Sequence, residues 1–196
     1  HKEKSKAEKS LGNENMEIEV ELNEFVGYEN TESKSKIYQV ETYDDKFIIF
    51  TKENPFYYEA GGQISDKGVI TIDDTSIQVI DVFQASNGAT GLIVDSDIFK
   101  VDQEVELSVN KSFRSGVSKS HTGAHIVHSA LRNILGDHVA QAGSNVTPGK
   151  FRFDFSHTEK VSQEELDEIF ALSNSAVFED YEVNTNIMNI DQAKSE

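Results

Sequence analysis

Two histidines four residues apart, His121 and His125, have the spacing in this chain best suited to chemistry. On a helix that spacing stacks two imidazoles on one face, one turn apart. Imidazoles so placed can grip one divalent metal, zinc most readily, if other donors complete a set of three or four. The segment is not His-Glu-x-x-His, because Thr122 stands where a peptidase base would be. His128 extends the stripe, either to serve the site or as a satisfied helix histidine. The same spacing also suits a helix whose histidines are merely exposed or hydrogen-bonded.

A second constellation is the run Asn54-Pro55-Phe56-Tyr57-Tyr58-Glu59-Ala60-Gly61-Gly62-Gln63-Ile64-Ser65-Asp66-Lys67-Gly68. Adjacent glycines let a backbone approach a ligand closely. Gln63 follows with one acceptor and two donors. Standing alone, the run also fits an ordinary turn between strands.

The elements that must carry these residues follow from patterning. Between Phe25 and Val109 short β-type runs recur about every ten residues. They are Lys36–Thr42, Phe47–Thr51, Gly68–Ile72, Ser76–Val82, Gly91–Val94 and Val105–Val109, with turns at Asp44-Asp45, Asp73-Asp74 and Ser86-Asn87-Gly88. That spacing predicts a small antiparallel, barrel-like subdomain. Ser118 to Leu135 is predicted as the histidine helix, with Gly136 at its C-terminal turn. Two strands, His138–Val146 and Lys150–Phe155, should follow around Thr147-Pro148-Gly149. Ser162-x-x-Glu165 is a capping box opening a second helix with Leu166, Ile169, Phe170 and Val177 on its apolar face, and Val183–Ile190 reads as a last strand. The fold class is therefore α+β. Its divisions are a linker-like 1–24, a β-barrel-like 25–110 carrying Gly-Gly-Gln, and an α+β subdomain over 111–196. Met16–Leu22 alternates apolar and acidic, which suits a strand or an extended acidic linker.

Composition narrows the classes further. A net charge of −17 argues against a general nucleic-acid coat, DNA included. From Lys111 to Arg152, however, six cations face one acid, Asp137. A local anionic ligand fits there, as does chance clustering. No run of about 18 apolar residues spans a membrane, no signal peptide is visible, and the absence of cysteine excludes disulfides. Cytoplasm is the default compartment. His1 and the run Asp191–Glu196 read as cut ends, so a fragment of a longer protein is expected.

Taken together, Pro55-Phe56-Tyr57-x-Glu59-x-Gly61-Gly62-Gln63-x-x-Asp66-x-Gly68 and His121-x-x-x-His125 resemble the editing domain of alanyl-tRNA synthetase. Leu135-Gly136-Asp137-His138-Val139-x-Gln141-Ala142-Gly143-Ser144-x-Val146 and Arg152-Phe153-Asp154-Phe155-Ser156-His157 strengthen the likeness. Phe25-Val26-Gly27-Tyr28 resembles the start of that domain, so the resemblance covers about residues 25–196. It implies a ligase that, as a whole, joins alanine to tRNA(Ala) using ATP, with no ATP bound by this part. It implies that this part hydrolyses tRNA(Ala) mischarged with serine or glycine. His121 and His125 would be two of four Zn2+ ligands, the others being a cysteine and a histidine further along the family's chain. Gly61, Gly62 and Gln63 would be the catalytic element. Family members commonly carry serine or threonine where this chain has Ala60, which puts its selectivity in doubt.

Arg114, Lys119, Arg132, Lys150 and Arg152 are candidates for the phosphates near the unstacked tRNA 3′ end. Arg152 has a rival reading as the ion-pair partner of Asp154, and His138 and His157 are expected as strand-end hydrogen-bonders. Two alternatives stand beside the ligase fragment: a free-standing alanyl-tRNA deacylase, and a module that grips a tRNA end without catalysis.

Overall fold

The computed structural model describes residues 18–184 together with 188, 189 and 192. Among the described residues nine strands precede the first helix. They are β1 (Glu24–Phe25), β2 (Glu32–Tyr43), β3 (Lys46–Thr51), β4 (Glu53–Asn54), β5 (Gly68–Ile72), β6 (Thr75–Val79), β7 (Asp81–Gln84), β8 (Thr90–Val94) and β9 (Glu104–Val109). Then come α1 (Lys111–Leu135), the hairpin β10 (Gln141–Thr147) and β11 (Lys150–Phe155), and α2 (Gln163–Phe178). The chain forms two compact units, residues 1–124 with 141–154, and residues 125–140 with 155–196.

In the first unit seven strands pair antiparallel in the order β6-β5-β9-β2-β3-β8-β7. The sheet is barrel-like without being a closed barrel. Its two edge strands are adjacent in sequence: β6 ends at Val79 and β7 begins at Asp81. One residue, Ile80, thus joins opposite ends of the strand order, which only a sheet coiled round on itself permits. The sequence pattern over Ser76–Val82 suggested one strand. The chain breaks there because Ile80 donates its N–H to Ile93 O at 2.8 Å, changing partner from β5 to β8. The long strand β2 bends as well. Its first half pairs with β9 and its second with β3, and the register shifts between Ile37 and Gln39.

One core cluster includes Ile37, Ile49, Phe56, Ile70, Leu92 and Leu107. A second gathers Ile48, Phe50, Phe83, Ala85, Ala89 and Ile93, with Ile18 and Val20 packed against it. Asp44 and Asp73 sit at φ 51° and 50°, and Gly88 at 94°, as the turns at those positions require. Residues 16 and 17 of the anticipated first strand lie outside the described residues, and Ile18–Leu22 is extended without strand pairing. Side chains take its carbonyls instead: Gln39 Nε2 donates to Glu19 O at 2.9 Å, Asn87 Nδ2 to Val20 O at 2.6 Å and Tyr38 Oη to Glu21 O at 2.6 Å.

The first helix begins seven residues earlier than its pattern suggested. Asn110 caps it, its Oδ1 accepting from Phe113 N at 3.0 Å. It ends as expected at Gly136, φ 110°, whose N–H reaches Arg132 O. The following strand starts at Gln141 rather than His138, because Val139 N turns back to Gly136 O at 3.1 Å. Two small residues on one face of α1, Gly116 and Gly123, lie against Pro148 and Phe151 of the hairpin. Phe151 and Phe153 alternate with exposed Arg152 and Asp154, the half-buried pattern anticipated for β11.

In the second unit Ser162 caps α2 through a full capping box with Glu165. Only Ile169 of its anticipated apolar face is buried; Leu166, Phe170 and Val177 are exposed. The inward side is the narrower line of Ile169 with half-buried Ser173 and Ala176. The described part of the anticipated last strand, Val183, Asn184, Met188 and Asn189, is not strand, and 185–187 and 190 lie outside the described residues. The Ser162 backbone and side-chain groups bonded to Glu165 hold its carboxyl below its ordinary value of 4.5, with a smaller contribution from His157. A depressed carboxylate stabilises the fold above that value and ceases to do so as pH falls through its lowered one. The first turn of α2 is therefore expected to loosen on acidification below about pH 4.5. Cα chemical shifts of Glu164–Leu166, followed from pH 6 to 3, should move toward coil, and shifts that stay helical throughout would contradict this.

Candidate functional site

The Gly-Gly-Gln segment is a tight turn. Ala60 and Gln63 exchange both backbone hydrogen bonds, Gln63 N to Ala60 O at 3.0 Å and Ala60 N to Gln63 O at 3.2 Å. The two residues between them, Gly61 and Gly62, have φ 61° and 80°. Positive φ at both central positions is what a two-residue hairpin turn of type I′ needs. Gly62 is glycine for a second reason: a Cβ there would lie 2.1 Å from Ser144 Oγ and 2.8 Å from Ser144 O.

The turn is stitched to β10. Val146 N donates to Gly62 O at 2.7 Å, and Ile64 N to Val146 O at 3.2 Å. Gln141 Nε2 donates to Ser144 Oγ at 3.0 Å, and Ser144 Oγ to Gly61 O at 3.3 Å. These contacts account for part of the Gln-Ala-Gly-Ser run, whose role was not legible from sequence. Tyr57, whose Oη donates to Ala60 O at 3.5 Å, is pushed up from its ordinary pKa chiefly by burial.

Against this turn stands His121, with Nδ1 2.9 Å from the Oε1 of Gln63. Gln63 is 5% exposed. With Oε1 accepting, Nδ1 carries a proton, and Nε2 is the ring nitrogen through which a metal would be bound. The imidazole also borders Gly61, where a Cβ would lie 3.5 Å from His121 Cε1. The structure thus joins two constellations 58 residues apart in sequence.

His125 is exposed one turn further along α1, in a shallow cleft with His128, Ser129, Arg132, Asn133 and Asp137. A histidine whose Nδ1 is held by a carbonyl oxygen has the arrangement usual for a metal ligand bonding through Nε2. Two imidazoles make only half a zinc shell, however, and no cluster of three or more His, Cys, Asp or Glu suited to a metal occurs among the described residues.

The anticipated phosphate contacts divide. Lys119 and Lys150 are exposed. Arg132 pairs with Asp137 at 3.1 Å and Arg152 with Asp154 at 3.1 Å, both on the surface, so the ion-pair reading of Arg152 is the one observed. Arg114 must be removed from the group. Its guanidinium is committed to Asp66, Gly27 O and Pro55 O, and its side chain is only 15% exposed. His138 and His157 bond each other, Nε2 to Nδ1 at 2.9 Å, with rings stacked 5.1 Å apart.

Residues 1–113 match the family described as tRNA synthetases class II (A). The chain belongs to this family. It is 40% identical over 183 residues to the alanine–tRNA ligase of Lysinibacillus sphaericus (strain C3-41), covering 88% of this chain and 20% of that protein. The corresponding enzyme of Oceanobacillus iheyensis is 38% identical over 182 residues, 87% of this chain and 21% of the relative. That of Caldicellulosiruptor saccharolyticus is 37% identical over 177 residues, 83% and 20%. The chain spans about a fifth of the length of these relatives. It therefore aligns with one region of each of these alanine–tRNA ligases. No helix among the described residues is long and apolar enough to cross a membrane.

Proposed function

We propose that this chain is the editing region of an alanine–tRNA ligase and hydrolyses the ester linking serine or glycine to tRNA(Ala). The observation that carries the reading is the hydrogen bond between buried Gln63 and His121, held beside a backbone turn with no side chain of its own. Ester hydrolysis requires a positioned water and donors aimed at the developing oxyanion. Gln63 gives its carbonyl to His121, which leaves its amide nitrogen to donate toward the ester oxygen. Gly61, with no side chain, lets the backbone beside His121 approach the aminoacyl group, while Gly62 makes room for Ser144. Exposed Lys119 and Lys150 attract the phosphates of the unstacked 3′ end.

His121 and His125 would hold Zn2+, with further donors supplied from outside the described residues. When bound, the ion would polarise the ester or lower the pKa of a water. The decisive assay compares Ser-tRNA(Ala) with Ala-tRNA(Ala), with and without zinc, using this chain and a form extended at its C-terminus. Hydrolysis of the serine ester with sparing of the alanine ester supports editing. An extended form that spares Ser-tRNA(Ala) overturns it and leaves the tRNA-end-binding module.

The half shell also predicts metal content. This chain alone should retain zinc substoichiometrically after gel filtration, and His121→Ala should lower its zinc affinity at least about tenfold, as losing a ligand costs no less than losing a ligand's supporting bond. Tight zinc at one equivalent per chain, unchanged in the variant, would show that the ligands lie elsewhere.

A further inference from the structure

Asp66 belongs to the long motif around the Gly-Gly-Gln turn, yet the chemistry above gives it no part. Its carboxylate is 1% exposed and accepts the Arg114 guanidinium at Nε, 2.9 Å to each oxygen, and at Nη2. It also accepts from Tyr57 N at 2.7 Å, while Asp66 N donates to Tyr57 O at 3.0 Å. The loop is therefore closed at its root by Tyr57 and Asp66, and at its tip by Ala60 and Gln63. Arg114 Nη2 adds Pro55 O at 2.8 Å, and Nη1 donates to Gly27 O.

Arg114 and His121 are seven residues apart on α1. Seven residues return to the same helix face after about 10.5 Å of rise. One face of the helix thus holds the loop's root through Arg114 and its tip through His121. A rigid helix carrying both contacts sets where Gln63 meets the imidazole. Only a planar fork with several donors reaches two carboxylate oxygens and two backbone carbonyls together; an ammonium is a point charge.

We infer that Arg114 and Asp66 form a positioning pair for the Gln63–His121 contact, a role beyond packing. The inference rests on the deacylase reading for its kinetic consequence and on geometry alone for its structural one. Arg114→Lys keeps the charge and removes the fork. It should lower kcat for Ser-tRNA(Ala) about tenfold with KM nearly unchanged, as expected when a reacting group is slightly misplaced. Combined with Gln63→Ala it should cost little more than Gln63→Ala alone, because both act on one contact. Independently of activity, 15N spectra of the imidazole should show His121 protonated at Nδ1 in the parent and a tautomer mixture in Arg114→Lys.

If kcat per folded molecule and the tautomer are both unchanged while the melting temperature falls, the pair is only structural and the inference is overturned. If the C-terminally extended parent fails to hydrolyse Ser-tRNA(Ala), the deacylase reading falls, and the tautomer measurement still decides the positioning role. Should Arg114→Lys not fold, Asp66→Asn keeps the acceptor's shape without its charge and is read by the same two measurements.

Discussion

Replacing Gln63 by alanine is expected to lower kcat for Ser-tRNA(Ala) hydrolysis about 10²-fold, the usual cost of losing one preorganised donor to an oxyanion. Two losses combine. The amide that would meet the ester oxygen disappears, and so does the carbonyl that holds His121 Nδ1 at 2.9 Å. The imidazole is then free to exchange tautomers, so Nε2 presents its lone pair only part of the time. The fold should tolerate the change, since the turn is closed by backbone bonds between Ala60 and Gln63 that any residue at 63 can make. Metal affinity should weaken without vanishing, because the imidazoles themselves remain. Steady-state kinetics with a matched zinc determination reads both effects. An unchanged kcat at full folding would remove Gln63 from the chemistry and with it the principal support for the editing reading.

The largest stability effect is expected at Phe56. Its side chain is fully buried in the cluster with Ile37, Ile70 and Leu107, and its ring underlies Gly68, where a Cβ would come within 2.9 Å of it. Phe56 also stands two residues from Asn54, whose Oδ1 accepts the Phe56 N–H at 2.9 Å and whose Nδ2 donates to Thr90 Oγ1 at 2.9 Å. Truncation to alanine therefore opens a cavity in a site that cannot collapse, since sheet backbone bounds it. The expected cost is about 3–5 kcal/mol. For a unit of this size that corresponds to a fall in Tm of roughly 10 °C. Thermal unfolding of parent and variant measures it, and a fall under about 3 °C would mean that the loop root is less well packed than its burial indicates. Because the Gly-Gly-Gln turn grows from this root, the variant should also lose activity faster on warming than the parent.

Much of the architecture was readable from local rules. Alternation and turn residues located the strands around Gly68–Ile72 and Lys150–Phe155, and the capping box at Ser162 and Glu165 located α2. Such signals concern neighbours in the chain, where side-chain period and φ preference act directly. The errors arose where distant partners decide. Ser76–Val82 reads as one strand until Ile93 claims Ile80, and Ile18–Leu22 suits either a strand or an extended linker until Tyr38, Gln39 and Asn87 take its carbonyls. Leu166, Phe170 and Val177 have the apolarity of a buried face and are nonetheless exposed, because apolarity says what a residue would gain by burial and not whether a neighbour covers it.

The candidate site divides in the same way. The sequence by itself determined its ingredients: two histidines one helical turn apart, a glycine pair needing positive φ, and an amide beside them. It also carried, through its long motifs, the likeness to the family that the comparisons then established. Only the tertiary structure decided which of these meet. It placed Gln63 against His121 and Ser144 against Gly61, and it moved Arg114 from a supposed phosphate contact to a buried partner of Asp66. The physical reason is that a side chain's donors and charge are properties of the residue, while its partner depends on the folding of segments 48 and 58 residues away in sequence.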